Sequence, residues 1–215
     1  MVRTFTRLKA SLMPYLYKTS VETSRSGVPT MRSMVLEFTK DRNCSYLDKQ
    51  YMLGDSLLVA PIFNEESIGS FYLPKGTWTD FFTGEVLAGG DWYERKYDYL
   101  HLPLMVRENS IVAMGAHDDK PDYDYADGVE LRVYALVDGQ RAETTVYDMQ
   151  QNAALHVTVV KNGSKITLQS DGNNDKAYTI RLVNVKASDA KSAELSIDGA
   201  DTVLTPTGKE IEVNL

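Results

Sequence analysis

A chain of 215 residues, 43% hydrophobic and 25% charged, has the composition of one or two folded domains with real cores, not of a disordered or fibrous protein. Its 30 acidic and 23 basic side chains leave a net charge of −7, and Lys and Arg are not clustered as phosphate binding requires, which argues against a nucleic-acid partner. A single cysteine, Cys44, excludes an intramolecular disulfide and fits a reducing, cytoplasmic location, and no apolar run approaches the roughly 18 residues of a membrane span or forms a signal peptide.

In the first 26 residues Phe5, Leu8, Leu12 and Leu16 recur at spacings of three and four, which suits an amphipathic helix stopped by Gly27. Pro14 lacks an N–H and clashes with the preceding turn, so the helix should bend or divide near Ala10 to Met13. Gly27-Val28-Pro29 turns the chain into Met31 to Phe38, a mostly apolar run of the type found in buried parallel strands. Tyr46 to Met52 reads as a short helix or a turn. Leu57 to Ile62 reads as a second apolar strand, with Pro61 marking an edge or an end.

From about Leu53 to Gly115, turn clusters at Gly69, Pro74-Lys75-Gly76, Thr83-Gly84, Gly89-Gly90-Asp91 and Glu108-Asn109 suggest an antiparallel sandwich. Phe71, Tyr72, Trp78, Phe81, Phe82, Trp92, Tyr93, Tyr97 and Tyr99 crowd this stretch. Aromatic faces can stack on pyranose rings, but they also suit pleated, half-buried surfaces, and core and interdomain packing is the stronger reading. The polar run His117 to Gly128 reads as a solvated linker. Its Asp122, Asp124 and Asp127 fail the spacing of a calcium loop, because Ala126 stands at a ligand position and no bidentate Glu follows. From Val129 onward apolar residues alternate, as in Leu131/Val133 and Ile166/Leu168, with hairpin signals at Asp138-Gly139, Asn162-Gly163, Asp171-Gly172 and Asp198-Gly199, so a second β-sandwich is expected.

Within the chain a search for chemistry returns little. His101, His117 and His156 are too scattered for a metal triad, and His101, between Leu100 and Leu102, should face away from them on a strand. There is no nucleophile elbow, phosphate loop or C-x-x-C pair. Asp118-Asp119 and Glu65-Glu66 are sequence neighbours, a poor source of two carboxyls about 5 to 10 Å apart across a sugar. Cys44 has no neighbouring base, and Asp55 should accept backbone N–H bonds in a turn. No catalytic, substrate-binding or metal-ligating residue is assigned.

The run QYMLGDSLLVAP at Gln50 to Pro61, with MPYLY at Met13 to Tyr17, PTMRSMVLEF at Pro29 to Phe38 and FYLPKGTWTDFFTGE at Phe71 to Glu85, resembles glycoside hydrolase family 31, with the α-xylosidases most similar. The resemblance implies retaining hydrolysis of α-linked oligosaccharides by two carboxylates on a (β/α)8 barrel, with no cofactor. Neither the family's K-x-D-x-x-E motif nor the Trp and His of its sugar pocket occurs here. A barrel of that kind takes about 250 residues by itself, more than this chain holds.

The expected layout is therefore mainly β with an N-terminal α/β remnant: 1–52 the last helix and strand of the barrel, 53–115 a proximal antiparallel β-sandwich and 116–215 a distal one. The expected partners are the rest of the barrel, the oligosaccharide substrate of the parent enzyme and a possible second copy of the chain. Such a chain should be inactive alone. The alternative is a non-catalytic carbohydrate-binding β-sandwich module.

Overall fold

The computed structural model describes residues 1–172 and 176–215. Two helices open the chain, α1 (Val2–Ser11) and α2 (Met13–Ser26), and they part where Pro14 was expected to divide them. Pro14 lies in the first turn of α2, where its missing N–H would have had no helical acceptor in any case. Beyond the end of α2, Gly27 takes a φ of +75° and donates its N–H to the Thr23 carbonyl at 2.9 Å, a left-handed stop that suits glycine. Among the described residues no helix is long and apolar enough to cross a membrane.

The chain splits into two compact units, Met1–Phe5 with Glu22–Glu108, and Thr6–Val21 with Asn109–Leu215. The first carries strands β1 (Met31–Ser33), β2 (Tyr51–Leu53), β3 (Leu57–Val59), β4 (Ile68–Leu73), β5 (Thr77–Asp80), β6 (Val86–Ala88), β7 (Asp91–Lys96) and β8 (Leu104–Arg107). An antiparallel sheet runs in the order β1-β2-β3-β8-β5-β6, and β4 pairs with β7 in a second, two-stranded sheet. Met52, Leu58, Phe71, Leu73, Trp78 and Met105 share one buried core. Trp78 is buried and its indole N–H donates to the Pro74 carbonyl at 2.7 Å, so the ring fills volume without stranding its polar atom.

One polar side chain ties the two sheets together. The Gln50 amide is buried, its Nε2 donates to the Tyr72 carbonyl and its Oε1 accepts the Tyr72 N–H, both at 2.8 Å. The side chain thus pairs with a β4 residue as another backbone would, satisfying two polar groups that have no water to turn to.

The run Met31 to Phe38 is not the buried parallel strand expected from its composition. Only β1 is extended; it runs antiparallel to β2, with Met31 opposite Leu53, and a one-turn helix α3 (Met34–Glu37) follows. A parallel strand needs parallel neighbours, and the strand within reach runs the other way. A single helical turn then sends Met34 into the core and leaves Val35 and Leu36 exposed. Instead of the single helix or turn read at Tyr46 to Met52, the chain forms a 3-10 turn (Arg42–Tyr46), capped by the Asp41 carboxylate on the Asn43 N–H, followed by β2. Pro61 falls beyond the end of β3, as its missing donor requires.

The second unit holds β9 (Ser110–Met114), β10 (Glu130–Tyr134), β11 (Arg141–Tyr147), β12 (Ala153–Asn162), β13 (Lys165–Asp171), β14 (Thr179–Leu182), β15 (Asp189–Lys191), β16 (Ala193–Asp198), β17 (Asp201–Pro206) and β18 (Glu210–Asn214). They form two five-stranded sheets, β16-β17-β14-β10-β9 and β11-β12-β13-β18-β15. Inward residues of both, among them Leu131, Val133, Val157, Leu168, Ile180 and Val213, make a single core. This is the alternation read in the sequence, with one departure from an all-antiparallel pattern: β10 and β14 run parallel, because the chain visits the other sheet through β11 to β13 before it returns. Strand β9, read with the strands before it, pairs along its whole length with β10.

Two of the four hairpin signals close hairpins, at Gly163 between β12 and β13 and at Gly199 between β16 and β17, both glycines with φ near +60°. Asp138-Gly139 instead links strands of different sheets, and the Asp138 carboxylate accepts the Gly163 N–H. The polar segment 117–128 is solvated over 117–122, as expected, but not throughout. Tyr123 and Tyr125 are buried, and the Tyr123 hydroxyl donates to the Ala10 carbonyl at 2.8 Å; two aromatic rings outweigh the surrounding aspartates and draw the segment into the core.

Replacing Gln50 with Leu should destabilise the first unit by about 2–4 kcal/mol, because it leaves the Tyr72 N–H and carbonyl buried and unpaired. Urea denaturation of the variant against the parent measures this, and a loss below about 1 kcal/mol would mean that water takes over the amide's role.

Candidate functional site

The first unit contains two open clefts. One, of about 620 Å³, is lined by Asp80, Phe82, Thr83, Arg95, Tyr97 and His101 among others. The turn after β5 shapes one wall: Asp80 is buried and its Oδ1 accepts the N–H groups of Phe82 and Thr83 at 2.9 and 2.8 Å. The opposite wall comes from β7 and the turn after it, where Asp98 Oδ1 accepts the Leu100 N–H at 2.8 Å and meets His101 Nδ1 at 2.7 Å. His101 therefore sits in a turn closed by Asp98, not on the strand expected from the leucines beside it. These contacts, the Leu100 N–H first and the His101 ring second, hold the Asp98 carboxyl below its ordinary range. The Phe82 and His101 rings stand perpendicular with centroids 5.3 Å apart.

Arg95 reaches across to Glu85 with both terminal nitrogens, a forked pair that lowers the Glu85 pKa. Tyr97 is different. Its hydroxyl is buried and has no hydrogen-bond partner among the described residues, and burial pushes its pKa up to about 12. The cleft and this hydroxyl were missed in the sequence, although the signal was present: residues 93, 95 and 97 alternate onto one face at the end of β7.

The second cleft, of about 600 Å³, is bordered by Phe38, Lys40, Asp41, Arg42, Tyr72 and Lys75 among others. Here Tyr72 donates its hydroxyl to Asp41 Oδ2 at 2.8 Å, and Arg107 covers the Phe38 ring at 5.0 Å. Cys44 is buried nearby; burial first, and the Asp41 charge second, push its thiol up to about 11.

The remaining residues weighed in the sequence lie apart. His117 packs edge-on against Tyr123 with centroids 5.0 Å apart, and His156 Nδ1 meets the Thr145 hydroxyl at 2.9 Å. Asp124 pairs with Lys176 and caps the Ala126 N–H, Asp118 faces Arg7 at 3.6 Å, and Glu65 and Glu66 are exposed. Asp55, in the turn between β2 and β3, accepts the Ser56 hydroxyl at 2.7 Å. Among the described residues no three His, Cys, Asp or Glu side chains are grouped to hold a metal. Phe71, Tyr72 and Trp78 are core residues, whereas Trp92 and Tyr99 are largely exposed.

The sequence model of the Glycosyl hydrolase family 31 C-terminal domain matches residues 27–112, and that of the Alpha-xylosidase YicI, C-terminal domain matches residues 124–215. The chain belongs to glycoside hydrolase family 31. Alpha-xylosidase XylQ of Lactiplantibacillus pentosus is 36% identical over 168 residues, which are 76% of this chain and 22% of that protein. An alpha-xylosidase of Emericella nidulans is 32% identical over 195 residues, 84% of this chain and 25% of that protein. The cycloalternan-forming enzyme from Listeria monocytogenes, solved with a pentasaccharide substrate, shares the fold with a TM-score of 0.86 at 23% identity, over 99% of this chain and 23% of that one. The chain thus spans about a quarter of the length of the curated relatives it matches.

With a pKa near 11, the Cys44 thiol of this family 31 chain is only about one part in a thousand thiolate at pH 8. Native protein should therefore react with a chromogenic disulfide reagent far more slowly than protein unfolded in urea, and equal rates would contradict its burial.

Proposed function

We propose that this chain is the C-terminal portion of a retaining glycosidase that hydrolyses the O-glycosidic bonds of α-linked oligosaccharides, of α-xylosidase or α-glucosidase type, and that it packs on and supports the catalytic barrel without doing chemistry itself. The observation that carries the reading is the pair of family matches, which together run from residue 27 to residue 215 with a short gap, beside relatives named alpha-xylosidase. In this reading residues 1–52 are the end of the barrel, the proximal β-domain runs from 53 to about 108 and not to 115, because β9 pairs with β10 of the distal one, and the protein works in the cytoplasm.

Two features support a supporting role. Val28, Met31, Val35, Leu36 and Tyr46 all present apolar surface to solvent, and all fall in the segment read as barrel, where the rest of the barrel would cover them. The same faces would let copies of the isolated chain associate. The carboxylates argue likewise. A retaining glycosidase needs one carboxyl kept protonated near neutral pH. Every carboxyl in the described residues with a resolved shift, namely Glu85, Asp98, Asp124, Asp148 and Glu212, is shifted downward by hydrogen bonds or cations, which is the wrong direction for an acid.

Assay of this 215-residue chain beside the full-length product of its gene, with a chromogenic α-xyloside and a chromogenic α-glucoside, tests the reading. Turnover by the longer protein alone is expected, and the faster substrate identifies the sugar. Turnover by the chain on its own would overturn it.

A further inference from the structure

The second cleft gathers positive charge that the fold leaves unused. Lys40, Arg42 and Lys75 border it, all three exposed and none with a hydrogen-bond or ion-pair partner among the described residues. Its two carboxylates are spent. Glu37 accepts from Arg32 at 3.1 Å through Oε2 and from Arg107 at 2.9 Å through Oε1, while Asp41 accepts the Asn43 N–H at 3.1 Å through Oδ1 and the Tyr72 hydroxyl at 2.8 Å through Oδ2. On a chain of net charge −7 this leaves a local excess of cations that no acid lining the cleft answers.

The surroundings select the kind of anion. Trp92 lies opposite Tyr72 in the β4-β7 pair, so both side chains stand on one face of that sheet, and Tyr72 borders the cleft together with Gly90, two residues before Trp92. The two rings are tilted with centroids 5.5 Å apart, yet Trp92 stays 52% exposed, which leaves apolar indole surface open to solvent at the edge of the cleft. Glu94, the next residue on that face, lies opposite Ser70 and does not border the cleft. Lys75 Cγ is 3.6 Å from where a Cβ on Gly90 would stand, so the lysine stem lies against the turn that leads into β7 and Trp92. An exposed indole beside unpaired cations suits a ligand with both an anionic group and an apolar ring face. A sugar acid has both, in its carboxylate and the C–H face of its pyranose, and a volume of about 600 Å³ falls within the range of small-molecule sites, about 300–1,000 Å³.

We propose that this cleft binds an acidic sugar, with the carboxylate taken by the cations of Lys40, Arg42 and Lys75 and the ring against the indole of Trp92, as an accessory site on the first unit. The choice of a sugar rests on the glycosidase reading; the preference for an anion rests on the cleft.

Titration of the ¹⁵N-labelled chain with methyl α-D-glucuronide, methyl α-D-glucoside and inorganic sulfate, followed by amide chemical shifts, tests it. Saturable shifts confined to residues 37–43, 72–75 and 90–92 are expected with the glucuronide. The glucoside, which lacks the charge, should bind at least about tenfold more weakly. Raising the salt from about 0.1 M to about 1 M, which cuts the screening length from about 10 to about 3 Å, should weaken glucuronide binding. Trp92→Ala should weaken it by about three- to tenfold, and Lys75→Gln, a change at an exposed side chain that leaves the urea midpoint in place, by about two- to fivefold. Absence of saturable shifts with the glucuronide would overturn the proposal, and so would equal affinity for the glucoside, sulfate bound as tightly as the glucuronide, or binding unchanged in both variants. The full-length product of the gene should bind the glucuronide as well, by calorimetry, and no binding there would overturn the proposal too. Turnover of a chromogenic α-xyloside by the full-length protein is independent of these measurements, so failure of the accessory site and failure of the glycosidase reading are told apart.

Discussion

The first unit depends on one side-chain amide behaving as backbone. The small β4-β7 sheet has few strands with which to satisfy its own polar groups, and a two-stranded sheet is marginal alone. By giving Tyr72 a donor and an acceptor in a buried position, Gln50 fixes this sheet against the core that Trp78, Phe71 and Met52 fill. The Tyr72 ring then reaches Asp41, which caps the 3-10 turn at Arg42–Tyr46, so a single chain of contacts runs from the Gln50 motif to the wall of a cleft.

What could be read from the sequence followed the strength of the local signal. The divided helix was legible because Pro14 allows few alternatives, and the alternating strands after Val129 because one face of each must be apolar to reach a core. Segment 117–128 was legible only in its exposed part, because its aspartates dominate its composition and conceal Tyr123 and Tyr125, whose burial shows only in three dimensions. Met31 to Phe38 was misread because an apolar run of eight residues does not state its period, and Ser33 in extended conformation ahead of α3 turns the second half of it into helix. His101 was misread for a similar reason: an Asp three residues earlier closes a turn that the flanking leucines conceal.

The clefts were the least legible feature. The first is formed where the turn after β5 meets the end of β7, strands of different sheets, and the second where the segment 37–43 meets Tyr72 and Lys75; no motif announces either meeting. Residue types in that region announced aromatic packing: Phe71, Tyr72 and Trp78 fill the core and Tyr93 and Tyr97 pack against it, while Trp92 and Tyr99 stay largely exposed. Phe82 and His101 line the first cleft, and nothing in their residue types separates them from the rings of the core.

The central claim is that the chain completes a catalytic barrel made by residues outside it. Mixing this chain with the separately produced upstream part of the same protein, and following hydrolysis of a chromogenic α-xyloside, tests that directly. The account predicts that neither piece turns over substrate alone and that activity returns on mixing. Equal activity of the upstream part with and without this chain would contradict it.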